Sequence, residues 1–198
     1  MLINPVIDTE TGELREMTEY EQIVAGKLFL ADGEYLDEKT KSVKRIPKPN
    51  DWSVWDRENK KWKVDNNLLN ERKKELKNKL LQDLAEAKSN YLNQTISVDK
   101  NGKKYTFENN EKNRNRLSLK ISLMWVLEQD KIEKVKAQNE KGLVEFIELN
   151  KAELKVLAGK IQDIIEVADI AEQTAVTGLE RYNIEQLLEL DVNDFFKN

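Results

Sequence analysis

The sequence predicts an α+β fold: a small β-rich N-terminal module with a Trp hairpin, a long connecting helix, and a C-terminal helical bundle with a β-hairpin. Three observations predict it. Residues 1–65 are mixed and turn-rich, and three of the chain's four tryptophans, Trp52, Trp55 and Trp62, fall there within eleven residues. From Asn66 onward the apolar residues recur at helical spacing. Between two such helical stretches, "TISVDKNGKKYTF" (Thr95–Phe107) carries alternating apolar residues on both sides of an Asn-Gly pair. The expected division is therefore 1–65, 66–94 and 95–198.

In the first segment, "TEYE" at Thr18–Glu21 is a capping-box pattern. The Thr18 hydroxyl is placed to accept from the Glu21 backbone N–H while the Glu21 carboxylate reaches back. That short helix should end at Gly26, a residue that tolerates the left-handed backbone of a C-cap. In "KLFLADGEYLDEKTKSVKRI", "DG" and "EKT" read as turns between strand-like runs, and "PKP" at Pro47–Pro49 stops regular structure. "DWSVWDRENKKWKVD" reads as a hairpin. Alternation sends Trp52 and Val54 to one face and Trp55 to the other, with Trp62 and Val64 sharing a face of the return strand. The indoles read first as the core of a small sheet and second as an exposed ligand platform, with Trp55 the one to be exposed.

Asn66–Gln94 reads as one helix, roughly 40 Å long at 1.5 Å per residue. Leu69, Leu76, Leu80, Leu84, Ala87 and Tyr91 form a narrow stripe on it. Such a stripe suits a bundle edge or coiled coil, although Lys73 and Asp83 spoil a heptad seam. In Thr95–Phe107, Asn101-Gly102 accepts positive φ at both central turn positions. A lone hairpin is marginal in water, so this one needs helices to lie on. Past Asn110, Leu117, Ile121, Met124, Trp125, Ile132 and Val135 fall on one helical face, and that helix is expected to end by Gly142. "LVEFIEL" (Leu143–Leu149) is strand-like. Asn150 with Glu153 starts the most strongly patterned helix, carrying Leu154, Leu157, Ala158, Ile161, Ile164, Ile165, Ala168 and Ala171. A short last helix from Asn183 carries Ile184, Leu187 and Leu188. Phe195 and Phe196 near the C-terminus either pack back on the core or bind a partner.

Composition narrows the chemistry. The 198 residues include 37 acidic and 33 basic side chains, for a net charge of -4, with no cysteine and no histidine. Disulfides, thiolate nucleophiles, Cys/His zinc sites and Ser-His-Asp arrangements are thereby excluded. The seven glycines are scattered, with no Gly-rich phosphate loop. The carboxylate pairs Glu145/Glu148 and Asp163/Glu166 read as solvent-facing charges. No catalytic residue, cofactor site or metal site is expected, and the chain is not expected to be an enzyme. The basic run Lys39–Arg45 reads as a solvated strand or loop, so no nucleic-acid partner is expected. Neither a membrane span of ~20 apolar residues nor a signal-peptide pattern is apparent. The protein is expected to stay in the cell that makes it unless exported within an assembly.

The order of features from Thr95 to about Arg181 resembles an uncharacterised C-terminal domain family of tailed-phage and prophage proteins encoded beside tail-fibre genes. The resemblance rests on Tyr105 and Phe107, on Asn113 and Leu117, and on Phe146 leading into Leu154, Leu157 and Ala158. The N-terminal part is similar in style to tail-fibre assembly proteins, through Gly33–Tyr35, Pro47–Pro49 and Trp52–Trp62. The resemblance implies a protein that binds a phage tail-fibre or other tail protein, as an accessory or assembly factor, in the host bacterial cytoplasm during assembly or in the virion tail. It implies no catalytic residues. The Asn66–Gln94 helix allows a homo-oligomer, for which the resemblance adds a trimer as the guess, and the Trp52/Trp55/Trp62 platform brings forward a host surface glycan. The candidate partner-binding residues are Trp52, Trp55, Trp62, Phe195 and Phe196.

Overall fold

The computed structural model describes residues 4–126 and 132–197, apart from the side chains of Trp125 and Val126. The chain is α+β and divides into two compact units, Met1–Lys74 and Glu75–Asn198.

The first unit is three hairpins and one short helix. β1 (Pro5–Ile7) pairs with β2 (Leu14–Glu16), β3 (Glu34–Asp37) with β4 (Ser42–Arg45), and β5 (Ser53–Asp56) with β6 (Lys61–Val64), all antiparallel. α1 (Glu19–Val24) carries the expected capping box at Thr18 and Glu21, and Gly26 follows it at φ +71°. The strand-like run at Lys27–Leu30 forms no strand, and Phe29 there is exposed. The three hairpins share one turn. "DTETG", "DEKTK" and "DRENK" each begin with an Asp whose Oδ1 accepts the backbone N–H groups two and three residues on. Each ends with a residue in the left-handed region, Gly12, Lys41 or Lys60. The aspartate side chain thus builds the turn locally, and the strands need little apolar area to be aligned.

Polar contacts tie these hairpins together. Arg15 clamps Glu21 with two bonds of 2.6 and 2.7 Å while its Nε donates to Asp8 at 3.0 Å. That guanidinium, helped by the Thr18 backbone N–H, holds the Glu21 carboxyl down at about 2. Arg45 bridges Glu34 and Glu19, and Tyr20 donates to Glu38 at 2.6 Å. The Trp62 indole N–H donates to the Ile46 carbonyl at 2.9 Å. Gly33, at φ +87°, lies against both: a Cβ there would sit 2.6 Å from the Ile46 oxygen and 3.0 Å from the Trp62 ring.

α2 (Asn66–Leu92) starts where Asp65 Oδ1 accepts from the N–H groups of Asn67 and Leu68. The boundary between the units falls within this helix. Its far end is closed by side chains: the Leu92 carbonyl accepts from Asn109 Nδ2 and Arg114 Nη1, each at 2.8 Å. Those bonds supply the acceptor's missing partners at a helix C-terminus.

The second unit is built on a four-stranded antiparallel sheet in the order β10-β9-β8-β7. β7 (Thr95–Lys100) and β8 (Lys103–Glu108) form the expected Asn-Gly hairpin, with Ile96 opposite Phe107 and Val98 opposite Tyr105. α3 (Glu111–Val126) follows. The expectation that its helical face continues through Ile132 and Val135 is corrected. Glu133–Asn139 is strand β9, paired throughout with β10 (Val144–Leu149). Val135 and Ala137 are buried while Lys134 and Lys136 face out, the period-two alternation of a half-buried strand. The turn is set by Asn139, whose side chain accepts from the N–H groups of Lys141 and Leu143, with Gly142 at φ +75°. Trp125, placed on that helical face by the sequence, lies outside the described side chains, as do residues 127–131 altogether.

α4 (Lys151–Arg181) joins two apolar clusters. Leu154, Leu157 and Ile161 pack on the sheet with Ile96, Phe107, Leu117 and Leu149. Ala175 and Leu179, further along, pack with Leu80, Leu84 and Ala87 of α2 and with Leu187 of α5 (Ile184–Glu189). Lys88 of α2 reaches Asp169 and Glu172 of α4 at 2.7 and 2.6 Å. A 3-10 helix, Val192–Phe196, ends the described chain.

Candidate functional site

The indoles expected to bind are brought together in a different way from the sequence reading. Trp55 and Trp62 are directly opposed across β5 and β6, with ring centroids 5.4 Å apart. Directly opposed residues share a face, so Trp55 faces with Trp62 rather than away from it. The four-residue turn after Asp56 fixes that register. Trp52, Trp55 and Trp62 are each half-buried. Lysines stand over neighbouring rings, Lys48 at 5.9 Å from Trp62 and Lys60 at 5.0 Å from Tyr35, both within cation–π range.

Phe195 and Phe196 lie half-buried against the α2–α4–α5 cluster, and the Phe196 ring is 5.6 Å from that of Tyr91. The α2 stripe is likewise engaged within the chain, since Leu80, Leu84 and Ala87 are buried against α4 and the C-terminal segment.

A different surface of the second unit stands open. A groove of about 360 Å³ runs between α3 and the β9–β10 pair, floored by Phe107, Leu117 and Val135 and flanked by Leu119 and Phe146. Phe146 is 70% exposed, and Leu119, Leu123, Ile132 and Val144 are exposed as well. β10 explains why. Ile147 and Leu149 point into the core, while Val144 and Phe146 occupy the opposite face, so this strand is apolar on both sides. It is also the sheet's outer strand. The opposite edge is partly covered, because Lys160 of α4 donates to the Ser97 carbonyl of β7 at 2.9 Å. β10 has no proline, lysine or bulge to blunt this edge, and its charges are Glu145 and Glu148.

The groove's electrostatics run against those of the whole chain. Arg116, Lys120, Lys134 and Lys136 line it, and no carboxylate among the described residues does. Lys120 is taken up by Glu133 at 2.9 Å and by the Lys134 carbonyl. Lys134 stands 3.8 Å from Glu148. Arg116 and Lys136 have no carboxylate partner among the described residues. A second concavity, beside α2 and the C-terminal segment, has the opposite character: Asp83, Glu86 and Asp191 line it, with no cation among the described residues. Among the described residues, no group of three or more acidic side chains is placed to hold a metal ion.

Phe146 was legible in part, since "VEFIEL" is apolar at adjacent positions and a strand so composed has an apolar outer face. Arg116, Leu119 and Lys136 were not, because only the fold brings α3 beside β9. No helix among the described residues is long and apolar enough to cross a membrane. Compared with known families, curated proteins and solved structures, the chain matches none.

Proposed function

We propose that this is a phage or prophage tail protein that acts by binding another protein, as a tail-fibre accessory or assembly factor. The carrying observation is the open apolar surface at Phe146 and Leu119. The same unit packs Leu149, Leu154 and Leu157 almost completely out of water. What sets Phe146 apart from a singly exposed ring such as Phe29 is that it lines one groove with Leu119, and an exposed apolar patch beside a dry core marks a surface for something else. Supporting it, the resemblance in Thr95–Arg181 includes Phe146 and Leu117, which sit at this groove. The protein would act in the host bacterial cytoplasm during assembly, or remain in the virion tail. Pull-down of the tagged protein from induced cells is expected to recover a tail-fibre protein. Loss of the tagged protein from purified particles would mark an assembly factor, and retention a component. Recovery of no tail protein in either fraction would overturn the proposal.

A second reading, a tail-tip or fibre component that binds host glycan through the Trp module, draws on the half-exposed Trp55–Trp62 pair. Sugar faces stack on such rings. Quenching of tryptophan fluorescence by host-surface polysaccharide, abolished in Trp55→Ala, is its expected result. No quenching by host polysaccharide, or quenching unchanged in the variant, would reject it.

A further inference from the structure

The groove between α3 and β9–β10 combines an apolar floor, an exposed aromatic flank and a rim of cations, in a chain whose net charge is -4. We propose that it is the docking site for an acidic, amphipathic segment of a partner protein, with apolar side chains seated between Leu119 and Phe146 and carboxylates reaching Arg116 and Lys136. This rests on the reading that the protein acts by binding another protein. Charge complementarity selects the occupant. Arg116 and Lys136 lack carboxylate partners among the described residues, and a basic or neutral segment would leave both uncompensated as the surface is covered. The volume of about 360 Å³ lies at the small end of the ~300–1,000 Å³ range of ligand pockets. It suits one or two anchoring side chains from a segment rather than a whole domain, and aromatic and arginine contacts of this kind dominate interface energetics. A second copy is the poorer occupant. The acidic concavity at Asp83, Glu86 and Asp191 is a hollow like the groove, and two hollows do not seat in one another.

The test is selection of displayed random 16-residue peptides on the immobilised full-length chain, followed by affinity measurement with a synthetic copy of an enriched peptide. The expected peptides are net acidic with at least two large apolar residues. Phe146→Glu or Leu119→Glu should weaken the synthetic peptide by ~10-fold or more. Arg116→Glu combined with Lys136→Glu should weaken it similarly, and a peptide with its acids changed to lysine should regain binding to that double variant. These positions are exposed, so far-UV circular dichroism and melting should be unchanged, and Trp55→Ala in the other unit should bind as wild type does. Absence of enrichment, enrichment of basic or neutral peptides, or equal binding to the variants would overturn the proposal. So would sedimentation showing a dimer that Phe146→Glu converts to monomer. A tail protein that still co-purifies with Phe146→Glu would refute this groove while leaving the binding-protein reading in place. Recovery of no tail protein with wild type removes that reading, whatever the peptides show.

Discussion

Gly33→Ala is expected to destabilise the Trp-bearing unit more than Gly12→Ala does, and the difference isolates a steric cost from a conformational one. Both glycines have positive φ, +73° at Gly12 and +87° at Gly33, so each alanine incurs roughly 1–2 kcal/mol of left-handed strain. At Gly12 nothing lies within 4 Å of the added Cβ. At Gly33 the Cβ would sit 2.6 Å from the Ile46 carbonyl oxygen, a backbone atom that cannot rotate away. That oxygen also accepts the Trp62 indole N–H, and the Ile46 N–H donates to the Gly33 carbonyl at 2.8 Å. Displacing it weakens at least one of these bonds, adding about 0.5–1.5 kcal/mol, before the contact with the ring is relieved. Strain and bond loss together come to roughly 1.5–3.5 kcal/mol, with the ring contact in addition. Among the described side chains of this unit only Tyr20 and Ser53 are buried, and a segment of this size rarely has more than about 3–5 kcal/mol in hand. Urea titration followed by tryptophan emission checks it, with three of four indoles in the unit. Midpoints for the two variants equivalent to within ~0.5 kcal/mol would show that the contact at Gly33 is not the constraint described.

Lys41→Gly and Lys60→Gly should each leave the first unit within about 0.5 kcal/mol of wild type, because relief of the left-handed φ is offset by loss of the Lys41 contacts with Glu38 and Tyr20 and of Lys60 over Tyr35; the same urea titration would read it. Acid should act first on that unit. Glu21 is held at about 2 by Arg15, below its unfolded value near 4.5, so the stability it adds is present above about 4.5 and lost as pH falls towards 2. Asp8, Glu34, Asp37, Glu38 and Asp56 are lowered as well, so tryptophan emission should change at higher pH than helical ellipticity, and Glu21→Gln should shrink the emission step. Asn109 is fully buried with its Oδ1 unbonded and its Nδ2 on the Leu92 carbonyl. Thermal melts should show Asn109→Ala costing about 1 kcal/mol, since Arg114 still serves Leu92. Asn109→Asp should cost more, about 3 kcal/mol, by setting a carboxylate against that carbonyl.

Local signals were legible in the sequence and non-local ones were not. The capping boxes at Thr18–Glu21 and Asn150–Glu153 are closed within four residues, and both form as read. So does the Asn101-Gly102 hairpin, whose turn chemistry is its own instruction. β9 was missed for a physical reason. "EKVKAQN" puts lysines and a glutamine on the outer face of a half-buried strand, a composition equally at home on a helix, and α3 had already established a helical period before it. Only pairing with Val144–Leu149 decides the matter. Trp55 failed likewise: alternation along one strand says which residues share its two faces, but the facing of β6 depends on the loop between them. The repeated Asp turn was visible as "DTETG", "DEKTK" and "DRENK", yet it carries no apolar pattern and so escapes a search by hydrophobic periodicity.

The two units rest on different forces, and this bears on which of them binds a partner rigidly. The sheet unit has a dry core from Ile96 to Ile161, so its groove is presented by a frame that costs little to order on binding. The hairpin unit instead depends on side-chain turns and ion pairs such as Arg15–Glu21 and Arg45–Glu34, which are partly exposed and individually weak. Tyr20 apart, its aromatic rings are held by an indole bond, by tilted stacking and by lysines, not by enclosure. A ligand on that surface would have to rigidify the hairpins as it binds, and part of its binding free energy would appear as added stability of the unit rather than as affinity. A preformed groove, with Arg116 and Lys136 lacking carboxylate partners among the described residues, has little such cost. For that reason the primary contact is assigned to Phe146 and its surroundings, with the tryptophans as the secondary one.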